Sequence, residues 1–354
     1  MTVAGRLALR AAARWEALLV VLLLGGGVWS STLSSAFLRR ANLLDLATPY
    51  ILFGLLAFGL TFVVIAGEID ISVVSTMAVS AAATAQIWHA GASIWLAALG
   101  GLAVAAALGL ANGLLVAVLE LPSLAVTLGT LAAYRGLVYV LLGTGARSGF
   151  PTDFTNIGGG YIRNELPISL LVMLGVALVL GFVLHATRFG RYVYAIGSNR
   201  QAARFSGIPV TRVRVTVFVL AGVLAGCAAI VYLGYFGSVQ GDAAQGSELV
   251  TVVTAVVLGG VDIFGGSGSM LGVLLALILI AELRNGMELA NLGGPTQDII
   301  VGALLIGAIL AGNLVRAVRG GALPWSRLRA ERKEVTDGDI HPAEVPVKPK
   351  LKLP

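Results

Sequence analysis

The chain has 354 residues, of which 57% are hydrophobic and 12% charged, with a formal net charge of +6. A soluble globular domain carries about 25% charged residues, so the composition excludes that class. The single cysteine, Cys227, excludes a disulfide framework or a thiolate metal cluster. In a chain this apolar the pI of 9.7 marks loops at a membrane surface and is no sign of a nucleic-acid partner.

Apolar runs of about 18 or more residues recur, which reads as an all-α, polytopic membrane protein of about ten transmembrane helices. In order the expected spans are Ala17–Ala36, Thr48–Ala66, Val73–Ala90, Ser93–Leu119, Ser123–Leu142, Pro167–His185, Val213–Phe236, Ser247–Leu258, Gly268–Ala290 and Gln297–Val315. The first follows Arg6, Arg10 and Arg14, and Ser34-Ser35-Ala36 has the look of a cleavage site. Its length and the many spans behind it favour a retained helix over a signal peptide. The eighth is short for a crossing. Small-residue pairs at helical spacing, Gly222 with Gly226 among the 46 glycines, let membrane helices approach closely. Residues 1–16 form an N-terminal segment, 17–315 the membrane domain, and 316–354, mixed in charge and rich in proline, a disordered tail.

Charge asymmetry orients the chain. Of the 24 Lys and Arg residues, eighteen fall in the N-terminal segment, in the loop around residues 186–214 and in the tail. Only Arg39, Arg40, Arg147 and Arg163 fall in the loops of the opposite side. The expectation is therefore both termini in the cytoplasm, with Arg39 and Arg40 running against the rule. The longest outside loop, Thr144–Leu166, reads as a plain solvated connection.

Few polar residues stand in or beside the spans. Glu68 and Asp70 lie in Gly67-Glu68-Ile69-Asp70-Ile71-Ser72, at a span end where local groups can satisfy an acid. Asp70 or Ser72 suits a helix cap. Thr127, Thr130 and Arg135 lie within the fifth span, and Arg135 reads as the most buried charge, facing protein or a water-filled path. These five are the candidate polar residues of a translocation path or of its supporting structure. Arg284 and Glu288, four apart, are placed to pair on one helix face. Gly67-x-Ile-Asp-Ile and Gly259-x-Val-Asp-Ile resemble each other, too briefly to establish a duplication.

The absences are also informative. A P-loop needs Gly-Lys followed by Ser or Thr, and the first lysine is Lys333. His89, His185 and His341 are scattered. No nucleotide site, metal site, triad or cofactor is expected, and the chain reads as no enzyme.

One stretch organises the rest, the basic loop over 186–212. Ser198-Asn199-Arg200-Gln201 reads as a capping box, with Ser198 capping the Gln201 N–H and Gln201 reaching back. A helix of about two turns then runs through Phe205. Gly207 suits the left-handed position past its end, and Pro209 blocks continuation. So a polar loop carries a short, punctuated helix with Ala202, Ala203 and Phe205 available to dock.

Four stretches together resemble the permeases of ATP-binding-cassette sugar importers, in the ribose, rhamnose and autoinducer-2 branch. They are GEIDIS at Gly67–Ser72, PSLAVTLGTLAAYRG at Pro122–Gly136, GRYVYAIGSNRQAARFSGI at Gly190–Ile208 and VVLGGVDIFGGSGSMLG at Val256–Gly272. Glu68, where many members carry Gly, and the long tail depart from the pattern. The resemblance implies two permease chains side by side in a bacterial inner membrane, either copies or paralogues. It implies a cytoplasmic ATPase under each, and a periplasmic or lipid-anchored binding protein that delivers a small sugar, rhamnose-like first among them. It also implies that the segment from Ser198 to Gly207, with Arg200, Gln201, Ala202, Ala203, Arg204 and Phe205, couples the chain to the ATPase. The competing class is a secondary transporter driven by protons through Glu68 or Asp70.

Overall fold

The computed structural model describes residues 3–46, 48–163, 166–243 and 248–320, and the side chains within 15–310. Fourteen α-helices are described. The first seven are α1 (Val3–Leu33), α2 (Arg40–Asp45), α3 (Ile51–Ile65), α4 (Val73–His89), α5 (Ile94–Ala117), α6 (Ser123–Leu142) and α7 (Thr152–Gly159). They are followed by α8 (Ile168–Ala186), α9 (Arg188–Ser198), α10 (Arg200–Phe205), α11 (Val210–Phe236), α12 (Glu248–Leu258), α13 (Met270–Leu289) and α14 (Gly294–Gly320). Among the described residues seven stretches are long and apolar enough to cross a membrane: Trp15–Leu33, Arg40–Ile65, Ile94–Ala117, Ser123–Leu142, Ile168–Ala186, Val210–Phe236 and Met270–Leu289. The other three expected spans coincide with α4 and with the shorter apolar helices α12 and α14. The chain divides into a unit ending at Ile309 and a second from Leu310. Of the second only the end of α14 is described, and the tail expected over 316–354 lies, beyond residue 320, outside the described residues.

Helix starts follow local chemistry. Ser93, Thr187 and Ser269 each accept a backbone N–H of the first turn of α5, α9 and α13. Pro122 and Pro167 immediately precede α6 and α8, where a missing N–H costs nothing. The helices that face outward are dressed for lipid: Val140 on α6 and Leu178 and Phe182 on α8 stand exposed.

α11 is the centre of the bundle and packs against α3, α4, α5 and α7. It can do so because its neighbours meet it through glycine. A Cβ at Gly222 would lie 2.5 Å from the Ala105 carbonyl oxygen and 3.0 Å from the Gly109 Cα. On the adjacent face a Cβ at Gly59 would lie 3.0 Å from the Ala221 Cα. Backbone thus meets backbone on two sides of one turn, the close approach that holds membrane helices together where no hydrophobic force acts between them. α3 is enclosed along nearly its whole length.

The stretch expected to be a plain solvated loop, Thr144–Leu166, is folded. It carries α7, whose Phe154 is fully buried and whose Gly158 meets the α11 backbone near Gly234. Two strand pairs tie it down: β1 (Arg147–Ser148) with β4 (Ser238–Val239), and β2 (Tyr161–Ile162) with β3 (Leu166–Pro167). The aromatic and glycine content of the loop finds a docking face on α11 that no local pattern displays.

Gly222→Leu is expected to push α5 and α11 apart and lower the temperature at which the detergent-solubilised protein loses its monodisperse peak by several degrees, an overpacking cost of about 1–3 kcal/mol or more. Gly129→Ala, where an added Cβ meets nothing within 4 Å, should leave that temperature unchanged. Equal behaviour of the two variants would contradict this packing.

Candidate functional site

The site is built where α3 ends. Gly67 takes a left-handed backbone (φ +78°), its N–H donates to the Val64 carbonyl at 2.9 Å, and the Glu68 N–H donates to Val63 at 3.1 Å. This helix stop turns the chain back and carries Glu68 inward, where only 3% of it is exposed. α12 stops in the same way, with Gly260 left-handed (φ +82°) and Val261 donating to Val256. The two helix ends correspond as Gly67 to Gly260. The motif match, which set Gly67 against Gly259, is therefore one residue out of register with the backbone.

Glu68 is an ion-pair centre. Its Oε1 accepts from Arg214 Nε at 2.7 Å and also from Arg200 Nη2. Arg214 Nη2 donates in turn to the Val116 carbonyl on α5 at 3.0 Å. Arg214 is 4% exposed, whereas the Arg200 side chain is 47% exposed. A buried carboxylate survives at this depth only when paired and hydrogen-bonded, and here both conditions are met. One carboxylate thereby links the α3–α4 loop, α5, α10 and α11.

Arg214 is the buried charge that sequence reasoning missed. It was counted among the loop arginines, and Arg135 was expected to be the most buried. Arg135 is half-buried, and its Nε has no hydrogen-bond partner. The available signal was periodic: Val213, Arg214, Val217, Phe218 and Ala221 share the buried face of α11, so Arg214 lies on an apolar stripe.

Asp70 performs a local task. Its Oδ1 accepts from the Ser72 N–H at 2.8 Å and the Ser72 hydroxyl at 2.6 Å. Burial pushes the Asp70 carboxyl up from its usual range, and the two Ser72 hydrogen bonds oppose that shift. Ser72 accepts from Asn112 Nδ2 of α5 at 2.9 Å, and Tyr134 of α6 donates to Asn112 Oδ1 at 3.3 Å. Thr127 donates to the Ile69 carbonyl at 3.2 Å, and Ser123 accepts the Ile69 N–H at 3.1 Å. So Glu68, Asp70 and Thr127 are brought together by one loop. Thr130 is not among them, since its hydroxyl turns to the Thr127 carbonyl of its own helix at 3.4 Å.

The basic loop holds two helices where one was expected. α9 runs through Ser198, whose hydroxyl donates to the Tyr194 carbonyl at 2.9 Å. Asn199, with extended backbone (φ −163°), is the break, and its side chain accepts the Ala202 N–H at 2.9 Å. The capping box expected on Ser198 and Gln201 is therefore replaced by an Asn199 cap one residue later, because Ser198 still belongs to the preceding helix. Gly207 is left-handed (φ +77°) as the sequence required. Ala203 turns into the chain and is buried, so it is not available to dock, while Gln201, Ala202, Arg204 and Phe205 are exposed, Phe205 to 90%.

Three of the motif stretches meet backbone to backbone. A Cβ at Gly197 would lie 2.5 Å from the Gly266 N, and one at Gly265 would lie 2.7 Å from the Gly67 Cα. The Gly266 N–H donates to the Ile65 carbonyl at 2.8 Å, and the Tyr194 hydroxyl donates to Gly268 at 2.8 Å. The loops after α3, α9 and α12 thus form one glycine-lined junction. Away from it, Arg284 pairs with Asp298 at 2.8 Å and not with Glu288 as its helical spacing suggested, because α14 supplies the nearer acid. Among the described residues no group of His, Cys, Asp and Glu is arranged to hold a metal.

The described residues form a polytopic helical membrane protein: stacked apolar helices, polar loops joined at one junction, and a short exposed helix beside it. The family described as "Branched-chain amino acid transport system / permease component" matches residues 42–309. The chain belongs to this permease family and is an inner-membrane, multi-pass transport subunit of the ATP-binding-cassette importer class. Curated relatives include the autoinducer 2 import system permease proteins LsrD of Escherichia coli K12 and of Shigella flexneri, each 34% identical over 89% of this chain and 97% of the relative. The protein of the same name from Escherichia coli O157:H7 is 33% identical over the same shares. No solved structure matches the chain.

Removing one partner of the buried pair leaves an uncompensated charge. Arg214→Leu is expected to destabilise the protein by about 3–5 kcal/mol, and Arg200→Gln, at the half-exposed end, by about 1 kcal/mol or less. Glu68→Gln combined with Arg214→Leu should recover much of the loss of Arg214→Leu alone. Thermal unfolding of the three purified variants measures this, and additive losses in the double variant would contradict the pairing.

Proposed function

We propose that the chain is the permease subunit of an ATP-driven importer of a small sugar-like ligand, with α10 as its grip on a separate cytoplasmic ATPase. The observation that carries the coupling role is α10 itself. It presents Phe205 almost fully exposed beside Ala202 and Arg204, on a segment capped at Asn199 and stopped at Gly207. A large apolar side chain held out on a rigid helix in a basic loop is the kind of anchor that buries in a partner's groove. Arg200, on the same helix, reaches Glu68, so a force on α10 is delivered to the end of α3 and, through Arg214, to α11 and α5.

Autoinducer 2 is the proposed cargo ahead of rhamnose or ribose, on the strength of relatives that match nearly end to end. A binding protein delivers it from outside, a second permease chain completes the path, and both termini lie in the cytoplasm with α9 and α10. The eighteen-to-four division of basic residues supports that orientation.

Phe205→Asp should leave the chain in the membrane but reduce recovery of the partner ATPase in pull-downs from solubilised membranes at least tenfold, and abolish autoinducer 2 uptake. Full recovery with normal uptake would show α10 to be a plain connector. Impermeant labelling of a cysteine introduced at Thr152, in a Cys227→Ala background, should occur from outside. Labelling from outside at Gln201 would reverse the orientation.

A further inference from the structure

Beside α10 lies a cleft of ≈ 390 Å³ whose lining includes Glu120, Arg200, Arg204, Thr211, Arg212 and Arg214. Four arginines line it. Two of their guanidiniums, on Arg200 and Arg214, are held by Glu68 at the inner wall. The other two, on Arg204 and Arg212, are exposed and make no ion pair among the described residues. Against these four positive charges stand two carboxylates, Glu68 and Glu120, and Glu68, which carries one charge, holds both inner guanidiniums toward itself. The cleft therefore keeps an excess of two positive charges. It also carries the Thr211 hydroxyl and the first turn of α11, whose Thr211 and Arg212 N–H groups precede its first intrahelical bond, from Val213 to Pro209.

We infer that this cleft is a binding site for an anionic phosphate group, taken between the Arg204 and Arg212 side chains and the opening turn of α11. The chemistry selects phosphate over a simple carboxylate. Two guanidiniums with backbone and hydroxyl donors offer a fork-like, multidentate cradle for phosphate oxygens, and the positive excess favours an anionic phosphate, monoester or diester. The volume admits a small phosphate ester or a lipid headgroup, which share this group. Glu120 at the rim, held in a left-handed backbone conformation (φ +53°), opposes the anion and sets how weakly the empty cleft attracts other acids. Because Arg200 and Arg214 form the inner wall, an anion here sits against the Glu68 pair. Arg204 lies on the face of α10 proposed to grip an ATPase, so the site is assigned to the chain with that face uncovered, and the test uses the chain in that form.

The test uses the purified full-length chain. In detergent, inorganic phosphate and glycerol phosphate are titrated while thermal unfolding is followed. In nanodiscs of phosphatidylcholine, with and without phosphatidylglycerol, native mass spectrometry counts the lipid retained. If the source is a soluble phosphate, the titration gives saturable protection, weakened at least tenfold by Arg204→Gln with Arg212→Gln and strengthened by Glu120→Gln. If the source is a headgroup, phosphate protects little, while phosphatidylglycerol is retained by the wild type and lost from the double variant. The Glu120→Gln gain is a change that a merely damaged fold does not produce. Absence of both signals, or signals unaffected by the double variant, would overturn the assignment.

Discussion

A single buried carboxylate holds the polar end of this molecule together. Glu68 leaves the last turn of α3 through a left-handed glycine and meets two arginines that come from α10 and α11. Neither charge is stable alone at this depth, and each makes the other tolerable. Because Arg214 also caps the Val116 carbonyl, the pair fastens α5 as well. The neighbouring hydrogen bonds from Ser72 through Asn112 to Tyr134 extend the same loop's reach to α6. A short loop of six residues thus touches four helices, so that a displacement of α10 has few soft places in which to dissipate.

The stiffness has a second origin in glycine. At the junction of the loops after α3, α9 and α12 the backbones approach too closely for side chains, and in the bundle centre α5 and α3 meet α11 at Gly222 and Ala221 on the same terms. Contacts of this kind cannot be relaxed by a rotamer change, so relative motion of these helices is confined to rigid-body shifts. Glu68 adds a charge lock to a junction otherwise made by shape.

Much of this was legible in the sequence because membrane helices announce themselves. Long apolar runs located the spans, and the expected starts at Ser93, Ser123, Pro167 and Gly268 fall within two residues of the starts of α5, α6, α8 and α13. The stop at Gly207 was readable because a left-handed turn followed by proline is a local demand. The pairing of Glu68 with Arg214 was not, since the two are far apart in sequence and either charge alone looks like a loop residue. The cap fell on Asn199 and not Ser198 because the preceding helix runs further than its polar composition suggested. Ala203 points inward because α10 packs on α9, and the face a two-turn helix buries is decided by its neighbours. The folded segment around α7 was hidden for the same reason, as its glycines find their purpose only against α11.

The account rests on the chain being a passive path driven by a partner's ATP hydrolysis. Proteoliposomes test this most directly, with cargo uptake measured for the chain alone under an imposed pH gradient and for the chain assembled with its ATPase, binding protein and ATP. Uptake only in the assembled, ATP-supplied vesicles is the predicted result. Uptake by the chain alone on the pH gradient would contradict it.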